Sequence, residues 1–200
     1  QRLKAGLPTV SIAGYTSAGK TTLFNTLTGE SKSAGNGIFT TLSTSTRAVI
    51  FKHGKVLVSD TVGFISKLPA YMVDAFRSTL HELIYSDLVL LVIDISQSIE
   101  EVRRKLDSCM HVMNELGVPM TKVLYVMNKV DLTRIEDAFD KSTYLDMLDS
   151  KKRVLPVSAK TGFNIDQLKN IMTSLLFPEK SRRPDDEHNE EEECNEGISS

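Results

Sequence analysis

A glycine-flanked loop that ends in lysine and threonine is the strongest chemical signal in the 200-residue sequence. Residues 14–21 read GYTSAGKT and match the pattern GxxxxGK[ST]. Gly14 and Gly19 let the backbone curl so that successive N–H groups face an anion. Lys20 can neutralise phosphate oxygens, and the Thr21 hydroxyl can coordinate Mg²⁺. A glycine turn ahead of an ordinary helix would explain the same residues, so this pattern needs support from the rest of the chain.

A second pattern, DxxG, occurs at residues 60–63. A carboxylate at Asp60 can hold Mg²⁺ through water. The backbone N–H of Gly63 can come close to a γ-phosphate. Taken alone, an aspartate that ends a strand before a turn is the simpler explanation of these residues.

Two later patterns, NKVD at residues 128–131 and SAK at residues 158–160, are suited to recognising a guanine base. Asp131 can accept hydrogen bonds from both N1–H and the exocyclic N2 amine of guanine, a pair of donors that adenine lacks. The stem of Lys129 can lie along the face of the base, and the backbone N–H of Ala159 can donate to guanine O6. Taken singly, each pattern is explained as well by a polar loop.

The four patterns gain weight together because each follows a predicted strand. The strands are short apolar runs at 9–13, 56–59, 123–127 and 154–157, with further runs at 48–51 and 88–93. Helical patterns lie between them: residues 20–28, residues 73–83, a segment capped by Ser98 and a segment capped by Asn164. This alternation predicts an open α/β sheet with helices on both faces, in which ligands bind at the carboxyl ends of the strands.

The order of the four patterns resembles the motif set of the GTPase superfamily over roughly residues 8–178. The resemblance implies a P-loop NTPase fold, α/β with a mostly parallel six-stranded sheet and helices on both faces, that binds GTP or GDP with Mg²⁺. It also implies a switch threonine between the first two motifs. Thr41 is the first choice for this residue and Thr40 the second.

The residues and the resemblance together give three sets of candidate site residues. The catalytic candidates are Lys20, Thr41 and Gly63. The Mg²⁺ ligand candidates are Thr21, Thr41 and Asp60. The nucleotide-binding candidates are Ser17, Ala18, Gly19, Lys20, Thr21, Thr22, Asn128, Lys129, Asp131, Ser158, Ala159 and Lys160.

Three local stretches resemble the HflX family of ribosome-associated GTPases: GYT at 14–16, FTTL with STR at 39–47, and DTVGFI at 60–65. The Obg family shares FTTL but not DTVGFI. HflX proteins usually carry a domain ahead of the GTPase domain, and this chain begins at Gln1 rather than Met. Residues 1–7 are therefore expected to be a linker or a remnant of an upstream domain. The resemblance also implies the ribosomal large subunit and its RNA as partners.

Two residues depart from common GTPase patterns. Phe64 stands where many GTPases have a glutamine that orients water, so hydrolysis without a partner is expected to be slow. Ser17 stands where related loops usually have an asparagine linked to a potassium ion, which leaves potassium dependence open. Three functions follow: a slow GTPase stimulated by the large subunit, a guanine-nucleotide switch with negligible intrinsic hydrolysis, and, as the weakest alternative, an ATPase.

The charge of the chain divides at the end of the last predicted helix. Residues 179–200 carry nine acidic and three basic side chains, a charge of −6, whereas residues 1–178 carry +4. The tail lacks apolar periodicity and is expected to be disordered, which leaves residues 8–178 as the GTPase domain. Four cations of the body lie near the switch segments in sequence and could face RNA, although a solvated face explains each alone: Arg47, Lys52, Lys55 and Lys67.

Composition favours a cytoplasmic protein that does not associate with membranes, and a monomer is expected. The two cysteines, Cys109 and Cys194, form no disulfide framework or zinc pattern, which fits a reducing compartment. The apolar run at 88–93 is far shorter than the roughly 20 residues that cross a bilayer. The N-terminus has no signal-peptide pattern.

Overall fold

The computed structural model of the protein describes residues 6–30, 45–60, 82–134, 136, 137, 141 and 153–181. Its strands are β1 (Thr9–Gly14), β2 (Ser45–Phe51), β3 (Gly54–Asp60), β4 (Leu88–Asp94), β5 (Val123–Asn128) and β6 (Arg153–Pro156). Its helices are α1 (Lys20–Thr28), α2 (Ile99–Glu115), α3 (Ile165–Leu176) and α4 (Pro178–Ser181), with 3₁₀ turns at Met120–Lys122 and Val130–Leu132.

The strands of the described residues form one sheet in the order β2-β3-β1-β4-β5-β6. All neighbouring pairs are parallel except β2 and β3, which form an antiparallel hairpin at one edge. The predicted sheet of six mostly parallel strands is therefore confirmed. Because the five parallel strands point the same way, the loops after β1, β3, β4, β5 and β6 all emerge at one edge of the sheet.

Two apolar cores lie on opposite faces of the sheet, which confirms helices on both faces. Alternate residues of β4 face opposite cores: Leu90 and Val92 lie in the first, and Leu91 and Ile93 in the second. The first core is covered by α1 and α3, and the second by α2. This double burial explains why β4 reads as a continuous apolar run rather than as an alternating one.

Local sequence signals predicted most ends of the helices and strands correctly, and the role of the Asn164 side chain is the exception. Ser98 caps α2, and its side chain accepts a hydrogen bond from the backbone N–H of Glu101. Asn164 lies at the start of α3, as predicted, but its side chain does not cap the helix. Its Nδ2 instead donates to the carbonyl of Pro156 at 2.9 Å, and its backbone has φ +58°. Asparagine tolerates this left-handed conformation, so its role here is in the loop before the helix.

Several predictions concern residues outside the described part of the chain. These are the switch threonines Thr40 and Thr41, Gly63 and Phe64 of the DxxG segment, most of the helix at 73–83, and the tail from residue 182. Residues 82–85 of that helix are described and helical, and Leu83 is fully buried in the second core. Within the described residues, no helix is long and apolar enough to cross a membrane.

Candidate nucleotide-binding site

The loop between β1 and α1 curls because three of its residues adopt positive φ. Gly14 has φ +146°, Ser17 has φ +62° and Gly19 has φ +94°. A Cβ atom at Gly14 would lie 2.3 Å from the carbonyl oxygen of Val92 on the neighbouring strand β4. Glycine is therefore required at this position both by the backbone conformation and by the close approach of β4.

Lys20 is buried inside this loop and donates from Nζ to the carbonyl oxygen of Tyr15 at 3.1 Å. Burial lowers the pKa of Lys20 to about 8, although the negative charge of Asp60 opposes that shift. The backbone N–H of Ala18 points at the same carbonyl, at 3.3 Å. A buried cation and an inward N–H group thus share the interior of the loop, an arrangement suited to an anionic ligand.

Thr21 and Asp60 bring two oxygen donors together beside this loop. The Thr21 hydroxyl donates to Asp60 Oδ2 at 2.9 Å, and Asp60 is buried at the carboxyl end of β3. A hydroxyl and a carboxylate are the hard oxygen ligands that Mg²⁺ prefers, so the donor set fits that ion. Among the described residues, no group of three or more His, Cys, Asp or Glu could hold a metal by itself. A Mg²⁺ ion here would need further oxygen ligands from phosphate and water.

Asn128 joins three of the four motifs through its side chain. It is buried at the end of β5, where Nδ2 donates to the carbonyl of Ala18 at 2.9 Å. Its Oδ1 accepts from the backbone N–H of Ala159, also at 2.9 Å. The approach is so close that a Cβ at Gly19 would lie 2.3 Å from Nδ2. The loop at residues 14–21, the NKVD segment and the SAK segment are therefore one packed unit.

Lys129 adds a second link to the same loop. Its Nζ donates to the carbonyl of Ser17 at 2.9 Å and to Asp94 Oδ2 at 2.7 Å. Asp94 directly follows the apolar run at 88–93, and none of the four sequence motifs includes it. The signal that could have found it is its place as the last residue of β4, directly in register with Asn128.

Asp131 and Ser158 approach each other on the side of the site suited to a base. The Ser158 hydroxyl donates to Asp131 Oδ1 at 2.6 Å and accepts from the backbone N–H of Thr161 at 3.1 Å. Ser158 is fully buried, whereas Asp131 is exposed. The carboxylate is thus oriented by a buried hydroxyl while it still faces solvent, where a base could approach.

The remaining nucleotide-binding candidates lie at the margins of this unit. Ala159 is buried, and because its N–H already donates to Asn128, a bond to guanine O6 would have to share or replace that contact. Thr22 is half-buried in the first turn of α1, and Lys160 is exposed. The Thr26 hydroxyl donates to the carbonyl of Ala159 at 2.7 Å and so fixes α1 to the SAK segment.

Tyr15, for which the sequence suggested no role, turns towards α2. Lys105 Nζ lies 5.2 Å from the centre of its ring, and the guanidinium of Arg104 lies 6.0 Å away. These are cation–π distances, and they join the loop after β1 to the charged face of α2. The Tyr15 ring is therefore part of the support of the loop on the α2 side.

The cations of the β2–β3 hairpin do not form one cluster by the site. Arg47 pairs with Glu30, which follows α1. Because Phe51 pairs with Gly54 and Ser45 with Asp60, the turn that carries Lys52 lies at the far end of the hairpin from Asp60. Gly54 and Asp60 are the two ends of the seven-residue strand β3, which is roughly 20 Å long. The structure therefore separates Lys52 and Lys55 from the nucleotide-type site, while Lys67 lies outside the described residues.

Comparison with known proteins defines the class. Residues 9–129, more than half of the chain, match the family model described as 50S ribosome-binding GTPase. The chain therefore belongs to this family of P-loop GTPases.

Among solved structures, it superimposes on a complex of SsGBP and GDP with a TM-score of 0.72 and 33% identity, over 86% of this chain and 50% of that one. A GTP-binding protein from Sulfolobus solfataricus in complex with GDP gives a TM-score of 0.69 and 34% identity, over 84% and 52% of the two chains.

Within that class, the chain is similar to proteins named GTPase HflX. The protein of that name from Thermofilum pendens is 44% identical over 180 residues, which are 90% of this chain and 42% of the relative. The predicted resemblance to the HflX family is thus confirmed. The chain spans less than half of the length of this relative.

Proposed function

We propose that this chain binds GTP and GDP with Mg²⁺, hydrolyses GTP slowly, and presents its switch loops to the large ribosomal subunit. The single observation that carries the proposal is the pair of hydrogen bonds that Asn128 makes, donating to the Ala18 carbonyl and accepting from the Ala159 N–H. It unites a loop suited to phosphate with a segment suited to guanine, as a guanine-nucleotide site requires.

Each motif has a distinct task in this proposal. Residues 17–22 surround the phosphates, and Lys20 supplies the positive charge for the β and γ groups. Asp131 accepts from the guanine N1–H and amine, while Asn128 and Ala159 hold its loop in place. Thr21 and Asp60 hold Mg²⁺, which neutralises charge on the phosphates. Thr41 and Gly63 complete the site from the switch segments, and Lys160 lies at its edge.

Residues 8–178 form the GTPase domain in this proposal, with residues 1–7 as a linker or upstream remnant and residues 179–200 as an acidic tail. The protein acts as a monomer in the cytoplasm. It contacts the large subunit and its RNA, in keeping with its family of 50S ribosome-binding GTPases.

Slow hydrolysis follows from Phe64, which stands at the position of the water-orienting glutamine of many GTPases. A phenyl ring has no hydrogen-bond donor or acceptor group for the attacking water. The water is therefore incompletely positioned without a partner. The large subunit would complete the site.

A turnover assay with and without purified large ribosomal subunits tests this function. We expect slow release of phosphate from GTP by the chain alone and faster release with the subunits. Lys20→Ala is the control, since contaminating GTPases would be unaffected by it. Equal rates in both conditions would contradict stimulation. GTP binding without hydrolysis in either condition would favour the alternative of a guanine-nucleotide switch with negligible catalysis.

A further inference from the structure

Asp94 is a carboxylate that no sequence motif includes, yet it lies at the junction of the site. It ends β4 and is only 9% exposed. Its Oδ2 accepts from Lys129 Nζ at 2.7 Å, and its Oδ1 accepts from the backbone N–H and the hydroxyl of Ser96, at 3.0 and 2.6 Å. Both carboxylate oxygens are thus engaged by protein donors, so Asp94 is built to hold Lys129 in position.

Lys129 in turn holds the backbone of the loop at residues 14–21. It donates to the carbonyl of Ser17, a residue with φ +62°. A non-glycine residue adopts this conformation only when its surroundings impose it. The bond from Lys129 is the contact that holds the Ser17 carbonyl in its observed direction.

The direction of the Ser17 carbonyl determines where the next N–H group points. In a trans peptide, the carbonyl of Ser17 and the N–H of Ala18 face opposite ways. With the carbonyl directed out to Lys129, the Ala18 N–H faces the loop interior, where it shares the Tyr15 carbonyl with Lys20 Nζ. This inward orientation is what a phosphate oxygen needs.

We infer that Asp94 is a positioning residue for the phosphate loop, acting through Lys129 and the carbonyl of Ser17. This inference rests on the proposed guanine-nucleotide function. It differs from a role in recognising the exocyclic amine of guanine, because the link runs to the loop that surrounds the phosphates. Loss of the carboxylate should therefore weaken the binding of any nucleoside diphosphate, whichever base the nucleotide carries.

The test compares GDP with IDP, inosine diphosphate, whose base lacks the exocyclic amine. Asp94→Asn keeps the size of the side chain but removes its charge. We expect it to lower the affinities for GDP and IDP by the same factor, roughly 10- to 100-fold for a charge-assisted contact. Asp107→Asn, an exposed aspartate on α2, is the matched control and should change neither affinity. Asp131→Asn should lower GDP affinity more than IDP affinity, since only GDP offers it the amine.

The outcomes separate the possible roles of Asp94. An unchanged affinity of Asp94→Asn for both nucleotides, measured well below its melting temperature, would overturn the inference and leave a purely structural role. A loss confined to GDP would overturn it too, because Asp94 would then act through the base. Should Asp94→Asn not fold, Ser96→Ala removes one support of Oδ1 and should give a smaller loss, equal for the two nucleotides. Failure of the unchanged protein to bind GDP would instead contradict the proposed function.

Discussion

At the scale of single residues, the site depends on atoms placed so closely that few substitutions are possible. Gly14 meets the Val92 carbonyl, and Gly19 meets the Asn128 side chain. Both glycines were singled out from the sequence as residues that let the loop curl. The structure adds that each also leaves room for a neighbouring element. Such neighbours cannot be identified from loop chemistry alone, because they are distant in the chain.

Gly14→Ala tests this close approach. The new Cβ would lie 2.3 Å from the Val92 oxygen in a backbone with φ +146°, so we expect a loss of unfolding free energy of roughly 2–4 kcal/mol, from strain and overpacking together. Gly29→Ala is the matched control, since Gly29 has φ +73° but, among the described residues other than its chain neighbours, no atom lies within 4 Å of an added Cβ. Gly29→Ala should lower the free energy of unfolding by about 1–2 kcal/mol. Equal losses for the two variants in urea unfolding would contradict the account.

Cys109 gives a prediction for the dependence of stability on pH. Burial raises the pKa of its thiol to about 12, although the nearby positive charge of Lys20 opposes that shift. Above the unfolded pKa of about 8.5, only the unfolded chain ionises, so this thiol's contribution to stability falls as pH rises. In a Cys194→Ser background, the free energy of unfolding should fall between pH 7.5 and pH 9.5. The fall should be about 1 kcal/mol larger in the protein that keeps Cys109 than in Cys109→Ala. Parallel losses would show that the thiol ionises equally in the folded protein.

At the scale of elements, the loops that follow the five parallel strands all lie at one edge of the sheet. Side-chain hydrogen bonds connect those loops to each other. The loop after β5 holds the loop after β1 through Asn128 and Lys129, and the end of β4 holds Lys129 through Asp94. Helix α2 supports the loop after β1 from the other side, through the ring of Tyr15. The candidate nucleotide site is therefore an assembly of strand ends rather than a single loop.

Tyr15→Leu tests the support from α2. It removes the ring that faces Arg104 and Lys105 but keeps the Tyr15 carbonyl that accepts from Lys20. We expect a loss of unfolding free energy of about 1 kcal/mol and unchanged GDP affinity. Tyr85→Leu, at a side chain 69% exposed, should change neither quantity. A large loss of GDP affinity in Tyr15→Leu would show that the ring contributes to binding the nucleotide.

At the scale of the whole molecule, the candidate site lies at one end of the sheet, and the described chain ends near the other. The motifs lie at the carboxyl ends of the parallel strands, whereas Phe177, just after α3, packs its ring against Gly54 at the start of β3. The charge of −6 beyond residue 178 therefore starts from the side away from the site. The charge of the whole chain says little about the environment of the nucleotide.

Removal of residues 182–200 should leave GDP affinity and thermal stability unchanged, because the described core and site end before them. A truncation that also removes Phe177 should melt at a lower temperature, since the ring packs against the first core. Calorimetry on both variants checks this. A loss of GDP affinity in the shorter deletion would show that residues 182–200 contribute to nucleotide binding.

Features set by neighbouring residues could be predicted from the sequence, whereas contacts between distant residues could not. The strands, α1 and the Ser98 cap could be predicted because apolar runs and local hydrogen bonds act over a few residues. The four motifs could be placed at strand ends for the same reason. Asp94 and the orientation of Tyr15 could not, because their partners come from other strands and helices. Asn164 was assigned a cap, but a distant carbonyl, that of Pro156, competes for its side chain.

A calorimetric titration of the chain with GDP and with ADP, in the presence of Mg²⁺, tests most directly whether the site selects guanine nucleotides. We expect binding of GDP and much weaker binding of ADP, with the preference lost in Asp131→Asn because an amide cannot accept both guanine donors. Equal affinity for GDP and ADP, or a guanine preference that survives Asp131→Asn, would contradict this expectation.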